Sequence, residues 1–129
     1  IHLSIAQNFL ISGAVIVATP QHVAVLDVKK AISMFDKVNI PILGIVENMN
    51  YLENSDGEKQ YIFGKGNIEK LAKTVGLDVL AHIPLDPKVS DGADHGMPIT
   101  ISDPDSKITR QFITLAQGIM KKCKEIQGV

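Results

Sequence analysis

An uninterrupted apolar segment from Gly13 to Pro20 constrains the fold of this chain more than any other feature. It is rich in β-branched valine and isoleucine, and a proline ends it. A strand with one solvated face alternates apolar and polar side chains, whereas this segment is apolar throughout, which is typical of a strand buried on both faces of a parallel sheet. Residues 22–37 follow with apolar side chains at helical spacing, which predicts an amphipathic helix directly after the strand.

Strands and helices continue to alternate along the chain. Residues 41–46 and 78–83 are predicted strands, and residues 67–75 and 87–95 are predicted helices. Residues 47–63 are polar and without periodicity, which predicts a long surface loop or a short hairpin. Strands that alternate with helices imply right-handed crossovers and a parallel sheet, so the predicted fold class is α/β, with an incomplete parallel sheet flanked by helices.

The final helix is predicted to begin after Ser102 or Asp103, either of which is a good N-cap residue. Pro104 would then occupy the first turn together with Asp105, and apolar side chains recur at helical spacing as far as Cys123. We expect this cysteine to pack as a small hydrophobic side chain on the inner face of the helix. Lysines near the end of the segment complement the helix dipole.

Composition and charge exclude several classes of protein. Of the 129 residues, 45% are hydrophobic and 21% are charged, so the chain is predicted to be one folded domain spanning residues 1–129. The net charge of −1 offers no overall attraction to nucleic acid, and no apolar segment approaches the ~20 residues of a membrane span. A single cysteine excludes an internal disulfide, which suits a reducing compartment. The sequence opens with Ile1 instead of a methionine, so we expect a piece of a longer protein.

Ligands of open parallel sheets bind beyond the carboxyl ends of the strands, so the residues that follow each predicted strand are candidates for a site. These residues are Thr19, Pro20 and Gln21 after the first strand, Glu47, Asn48 and Met49 after the second, and Pro84, Leu85 and Asp86 after the third. An asparagine amide can donate to and accept from the edge of a nucleotide base, and a proline-bearing turn offers a flat apolar wall beside it. The same residue types are common in turns that bind nothing, so both interpretations stay open on spacing alone.

No motif for phosphate binding or nucleophilic catalysis occurs in the 129 residues. There is neither a Walker A loop nor a G-x-G-x-x-G motif, and the glycines on either side of Lys65 are more simply the start of a helix. No serine lies in a G-x-S-x-G elbow, which argues against a Ser-His-Asp hydrolase. Asp91, Asp94 and His95 could suggest a metal site, but a solvated helix face gives the same pattern and is favoured. His82 has no partner at the spacing of metal ligands.

Several segments taken together resemble the carboxyl-terminal half of the Mrp/ApbC proteins, which are iron–sulfur cluster carrier ATPases related to MinD and to the nitrogenase iron protein. The most specific are G-I-V-E-N-M at 44–49 and I-P-L-D-P at 83–87, with further matches at 13–21 and 62–66. The resemblance extends over essentially the whole chain and implies part of a three-layer P-loop NTPase fold. In the family, a Walker A loop and a D-x-P-P-G-T-G-D segment precede the part that resembles Ile1 to Asn8, which would account for the missing methionine.

The resemblance implies roles for the residues at the predicted edge. Asn48 would contact adenine, Pro84 to Asp86 would flank the base, and Thr19 to Gln21 would lie near the region that senses the nucleotide. Asp27 matches an acidic position that would pair with a phosphate-loop lysine. The implied cofactor is ATP with Mg²⁺, hydrolysed by the full-length protein, and the 129 residues alone are expected to be inactive. The implied setting is a cytoplasmic homodimer whose partners are apo iron–sulfur proteins and an assembly scaffold, without nucleic acid or a membrane span.

One departure from the family concerns the cluster itself. Family members commonly carry C-P-x-C shortly after the run that contains Asn48, and in a dimer these cysteines would bridge a cluster between subunits. Residues 52–57 of this chain contain no cysteine. Carboxylates and hydroxyls are poor substitutes for thiolates, so a cluster is not expected at this place. A second interpretation therefore stays open, in which the protein is a non-catalytic, nucleotide-responsive adaptor or a MinD-like positioning module that carries no cluster.

Overall fold

The computed structural model describes residues 2–128, including the side chains of all of them except residues 2, 3 and 6. Ile1, with which the sequence opens, lies outside the described residues. Within residues 2–128, no helix has both the length and the apolar character needed to cross a membrane. The elements run in the order α1 (His2–Asn8), β1 (Ala14–Ala18), α2 (His22–Lys37), β2 (Ile42–Glu47), β3 (Leu52–Glu53), β4 (Lys59–Gln60), α3 (Asn67–Val75), β5 (Val79–His82), α4 (Pro87–Asp94), α5 (Ile99–Ser102) and α6 (Lys107–Gln127).

Three of the strands form a parallel sheet in the order β1-β2-β5, so β2 is central. The connections of parallel neighbours must cross from one end of the sheet to the other. Helix α2 makes the first crossover, and α3 lies within the second. The predicted α/β fold with a parallel sheet flanked by helices is therefore confirmed. The helix predicted at 67–75 has the predicted bounds, and the three predicted strands are present with small shifts at their ends. The burial of β1 on both faces was predicted wrongly, since Val17 is 62% exposed while its neighbours Ile16 and Ala18 are buried.

The hydrophobic core lies between the sheet and helices α2 and α3. Ile45 of β2 and Ile68 of α3 are fully buried, and Val28 of α2 is 2% exposed. Burying one such side chain contributes about 1.5 to 3 kcal/mol relative to leaving it in water. The sheet is also closely packed within its own layer, because a Cβ atom at Gly44 would lie 2.8 Å from the backbone oxygen of Asp78, next to β5. Glycine is required at this position for β2 and β5 to approach each other.

The polar segment predicted as a loop or a short hairpin contains a hairpin, with β3 and β4 antiparallel. One part of the prediction is wrong, because Glu47 belongs to β2 and is buried instead of opening the surface loop. A charged residue at the end of an apolar run is normally placed in a loop, since buried carboxylates are rare unless they are paired. The partners of Glu47 are Asn50 and His82, which lie 3 and 35 positions away in the sequence.

The start of the last helix was also predicted wrongly. Helix α6 begins at Lys107 and is capped by Ser106, whose Oγ accepts from the backbone N–H of Thr109 at 3.1 Å. The residues predicted to cap it, Ser102 and Asp103, end the separate helix α5, and no acidic residue lies in the first turn of α6. The side chain of Thr109 is buried and lies 2.7 Å from the backbone oxygen of Asp103. This contact folds α5 back onto α6. The choice of Ser106, and not Ser102 or Asp103, as the cap of α6 depends on it.

An ion pair joins α6 to the residue that precedes β5. Lys122 Nζ donates to Asp78 Oδ2 at 2.5 Å. This hydrogen bond is the main cause that raises the pKa of Lys122 above its ordinary value, although burial opposes it. The pair therefore contributes stability below the ordinary lysine pKa, and this contribution is lost as the pH rises through the raised pKa.

Candidate functional site

The three strands of the sheet end at Ala18, Glu47 and His82, and their carboxyl ends lie side by side at one edge. Backbone hydrogen bonds continue beyond the strands at this edge. The N–H of Asn48 donates to the oxygen of Ala18 at 2.8 Å, and the N–H of Ile83 donates to the oxygen of Glu47 at 2.9 Å. The three segments that the sequence predicts as a site are therefore brought to the same edge of the sheet.

The first of these segments links β1 to α2. Thr19 Oγ1 donates to Gln21 Oε1 at 3.2 Å, so the two polar side chains are held together within the turn. Pro20 is fully buried, and its backbone oxygen accepts from Asn67 Nδ2 at 3.1 Å. Because Asn67 is the first residue of α3, this bond attaches α3 to the edge across 47 residues of sequence.

The second segment is the tight turn after β2. Met49 has a φ of 54°, a left-handed conformation that few residues with a Cβ adopt. The N–H of Asn50 donates to the oxygen of Ile83 at 2.9 Å, so the turn is tied to both neighbouring strands. The Asn48 side chain is half-buried and makes no hydrogen bond with any described residue. Its amide therefore has unused hydrogen-bonding capacity within the described part of the chain.

The third segment follows β5. The N–H of Leu85 donates to the oxygen of Tyr51 at 2.7 Å, which attaches this segment to the chain that follows the β2 turn. Asp86 caps α4, since its Oδ1 accepts from the N–H of Lys88 at 2.9 Å and Pro87 occupies the first position of the helix. Pro84, Leu85 and Asp86 line a cavity of about 240 Å³ together with residues of β3 and α6, and Asn48 is not among its lining residues.

The most unusual group at this edge is Glu47, which sequence reasoning did not identify as a buried residue. It is 1% exposed, and its Oε1 accepts from Asn50 Nδ2 at 2.5 Å and lies 2.8 Å from His82 Nδ1. His82 Nε2 lies 2.8 Å from Glu69 Oε1, so the imidazole bridges two carboxylates. Glu47 Oε2 has no hydrogen-bond partner among the described residues. The only signal in the sequence that could have pointed to Glu47 is a carboxylate at the end of an apolar run.

These groups line a cavity of about 550 Å³. Two tyrosines also line it, each with a lysine ammonium 4.5 Å from its ring centre: Lys59 over Tyr51 and Lys65 over Tyr61. The cavity therefore places carboxylates, ammonium groups and aromatic rings close together. It lies beside the segment that joins β2 to α3.

The remaining candidate residues of the sequence analysis lie on the helices or at their ends. Asp91 on α4 and His95, which directly follows α4, are both mostly exposed, with 3.5 Å between His95 Nδ1 and Asp91 Oδ1. Asp27 is exposed on α2, where it lines a cavity together with Thr19, and Cys123 is partly buried on α6. Among residues 2–128, no group of three or more histidine, cysteine, aspartate or glutamate side chains could hold a metal ion.

Solved structures with the same arrangement define the class of protein. The cell division ATPase MinD of Pyrococcus furiosus matches with a TM-score of 0.65 at 26% identity, over 85% of this chain and 43% of that chain. A nucleotide-binding protein from Archaeoglobus fulgidus, solved in complex with ADP, matches with a TM-score of 0.61 at 35% identity, over 76% of this chain and 40% of that chain. The fold is that of the MinD-like P-loop ATPases.

The sequence comparison narrows this class to one family. The family described as "ParA: NUBPL iron-transfer P-loop NTPase" matches residues 1–120, and the chain belongs to this family. The iron–sulfur cluster carrier protein of Aquifex aeolicus is 50% identical over 118 residues, which are 91% of this chain and 32% of that relative. The chain thus spans about a third of the length of this relative. The resemblance stated from the sequence is confirmed.

Proposed function

We propose that this chain is the carboxyl-terminal, adenine-side portion of an ATP-dependent iron–sulfur cluster carrier. The observation that supports the proposal is the convergence of the segments that follow β1, β2 and β5 at one edge of the sheet, in a fold whose relatives bind nucleotides. Ligands of open α/β sheets bind at this edge. The free amide of Asn48 lies there, with a proline-bearing turn on the neighbouring strand.

In this proposal each segment has a separate task. The Asn48 amide donates to and accepts from the edge of adenine, Pro84 to Asp86 form the wall beside the base, and Thr19 to Gln21 respond to the nucleotide. The phosphates and Mg²⁺ require a phosphate-binding loop, which the 129 residues do not contain. Hydrolysis of ATP would therefore be an activity of a longer protein, in which Mg²⁺ and a lysine of that loop stabilise the charge of the transferred phosphoryl group.

The iron–sulfur cluster is the cargo of this protein in the proposal. The residues present do not provide the usual ligands, because the hairpin segment 52–57 has no cysteine and the single thiol, Cys123, lies on α6. The cluster ligands would have to come from elsewhere in a cytoplasmic homodimer that serves apo iron–sulfur proteins and an assembly scaffold. The lack of thiols in the hairpin favours one alternative, an adaptor that responds to nucleotide and carries no cluster. Anaerobic reconstitution of the full-length protein with iron and sulfide separates the two, since only the carrier acquires cluster absorbance.

The adenine assignment is tested by replacing Asn48 with alanine in the full-length protein and titrating ATP. Loss of a buried hydrogen bond with an unpaired partner should weaken ATP binding by about 1 to 2 kcal/mol, or about 5- to 30-fold in Kd. Asn54→Ala is the matched control, because Asn54 lies in the exposed hairpin. An Asn48→Ala variant that binds ATP as tightly as the wild type would remove Asn48 from the site and contradict the proposal.

A further inference from the structure

The buried carboxylate of Glu47 directly precedes Asn48 in the chain. Its two partners belong to different parts of the chain. Asn50 is at the end of the turn itself, and His82 is the last residue of the neighbouring strand β5. One oxygen, Oε1, contacts both partners at 2.5 and 2.8 Å. Glu47 therefore closes the turn that carries Asn48 and also fixes this turn against the neighbouring strand.

This turn needs such support because its backbone is unfavourable. Met49 has a positive φ, which brings its Cβ close to the following carbonyl oxygen. Residues in conformations of this kind persist only where the surrounding contacts hold them. Backbone bonds hold the turn at Asn48 and Asn50, and the side-chain bond between Asn50 and Glu47 joins its two ends.

The contacts of His82 depend on its protonation. Each ring nitrogen lies 2.8 Å from a carboxylate oxygen, Glu47 on one side and Glu69 on the other. A neutral imidazole has one N–H and can donate to only one of them, whereas the imidazolium donates to both. The other charged and titratable groups on the cavity wall are the ammonium groups of Lys59 and Lys65 and the phenols of Tyr51 and Tyr61.

We propose that Glu47 is the positioning residue of the nucleotide site, and that it holds Asn48 in the orientation that receives adenine through its contacts with Asn50 and with His82. This inference rests on the proposed function.

The test is an ATP titration of the full-length protein, with the wild type and three variants. Glu47→Ala should weaken ATP binding about tenfold, because Asn50 and His82 lose their acceptor. Glu47→Gln should recover most of the affinity, because its amide oxygen still accepts. His82→Gln should weaken ATP binding less than Glu47→Ala, because Asn50 keeps its acceptor. The controls are Asp36→Asn and His95→Gln, which change an exposed carboxylate and an exposed imidazole away from the site and should behave like the wild type.

Wild-type affinity in Glu47→Ala would overturn the inference. If Glu47→Ala does not fold, Asn50→Ala decides, because it removes the bond that joins the two ends of the turn, and wild-type affinity in this variant would likewise overturn the inference. Loss of ATP binding in Asn48→Ala without any effect of the Glu47 variants would refute only the positioning role. A wild type that binds no ATP would refute the proposed function. The NMR signal of the Asn48 side-chain amide, compared between the wild type and Glu47→Gln, would then show whether Glu47 positions Asn48.

Discussion

The turn after β2 and the β3–β4 hairpin are neighbours in the chain and similar in polarity, yet different kinds of contact hold them. The turn is fixed by bonds to distant residues, since Asn48 and Asn50 bond to Ala18 and Ile83 and the Glu47 carboxylate contacts His82. Apart from an ion pair between Glu53 of β3 and Lys107 of α6, the hairpin is fixed from within. Asn54 Oδ1 accepts from the N–H groups of Asp56 and Glu58, and residues 54–60 are exposed.

This difference shows that polar residues alone do not distinguish a site from a surface loop. Solvent can replace a lost hydrogen bond in the exposed hairpin, whereas a lost bond in the buried turn leaves a donor or an acceptor without a partner. Substitutions in β2 and its turn should therefore cost much more stability than equivalent substitutions in the hairpin. Three substitutions test this comparison, in order of decreasing expected loss of stability.

Ile45→Ala should have the largest effect. Ile45 is fully buried in the central strand, and its truncation leaves a cavity that costs about 2 to 5 kcal/mol of unfolding free energy. The matched control is Leu52→Ala in the half-buried strand β3, which should cost less. Urea denaturation measures both. Equal losses of unfolding free energy in the two variants would contradict the distinction between β2 and the hairpin.

Asn50→Ala should have an intermediate effect. Asn50 is 7% exposed, and its side chain donates to the buried Glu47 carboxylate. The substitution leaves this carboxylate with one donor fewer, which we expect to lower the unfolding free energy by about 1 to 3 kcal/mol. A melt monitored by circular dichroism gives the comparison with the wild type. A loss below the error of the measurement would mean that the buried bond does not stabilise the turn.

Asn54→Ala, the same substitution in the hairpin, should have the smallest effect. Its side chain bonds to neighbouring N–H groups and to the Glu58 carboxylate, all of them exposed groups that water can also satisfy, so we expect a loss of about 0.5 kcal/mol. The denaturation midpoints of Asn54→Ala and Asn50→Ala, recorded under one set of conditions, sharpen the comparison because the two changes are chemically identical. The comparison fails if the hairpin variant is the less stable of the two.

Much of the fold could be predicted from the sequence because its signals are local. The apolar run at 13–20 and the periodicity of residues 22–37 and 67–75 each specify an element by its own hydrogen-bonding pattern and its buried face. Alternation of strands and helices then implies the parallel sheet and the edge at which its loops meet. The cap of α6 could not be chosen in this way, because Ser102, Asp103 and Ser106 are all acceptable caps and a contact of Thr109 with Asp103 decides between them.

Patterns along the chain were enough to establish the order of the elements, the parallel sheet, the family, and the placement of Asn48 and Pro84 at the same edge. The burial of Glu47 and the bridge that His82 makes between it and Glu69 are seen only once the chain is folded. A helix or a strand follows from hydrogen bonds and side-chain spacing within a short segment, whereas a carboxylate can be buried only where distant parts of the chain supply its hydrogen-bond donors.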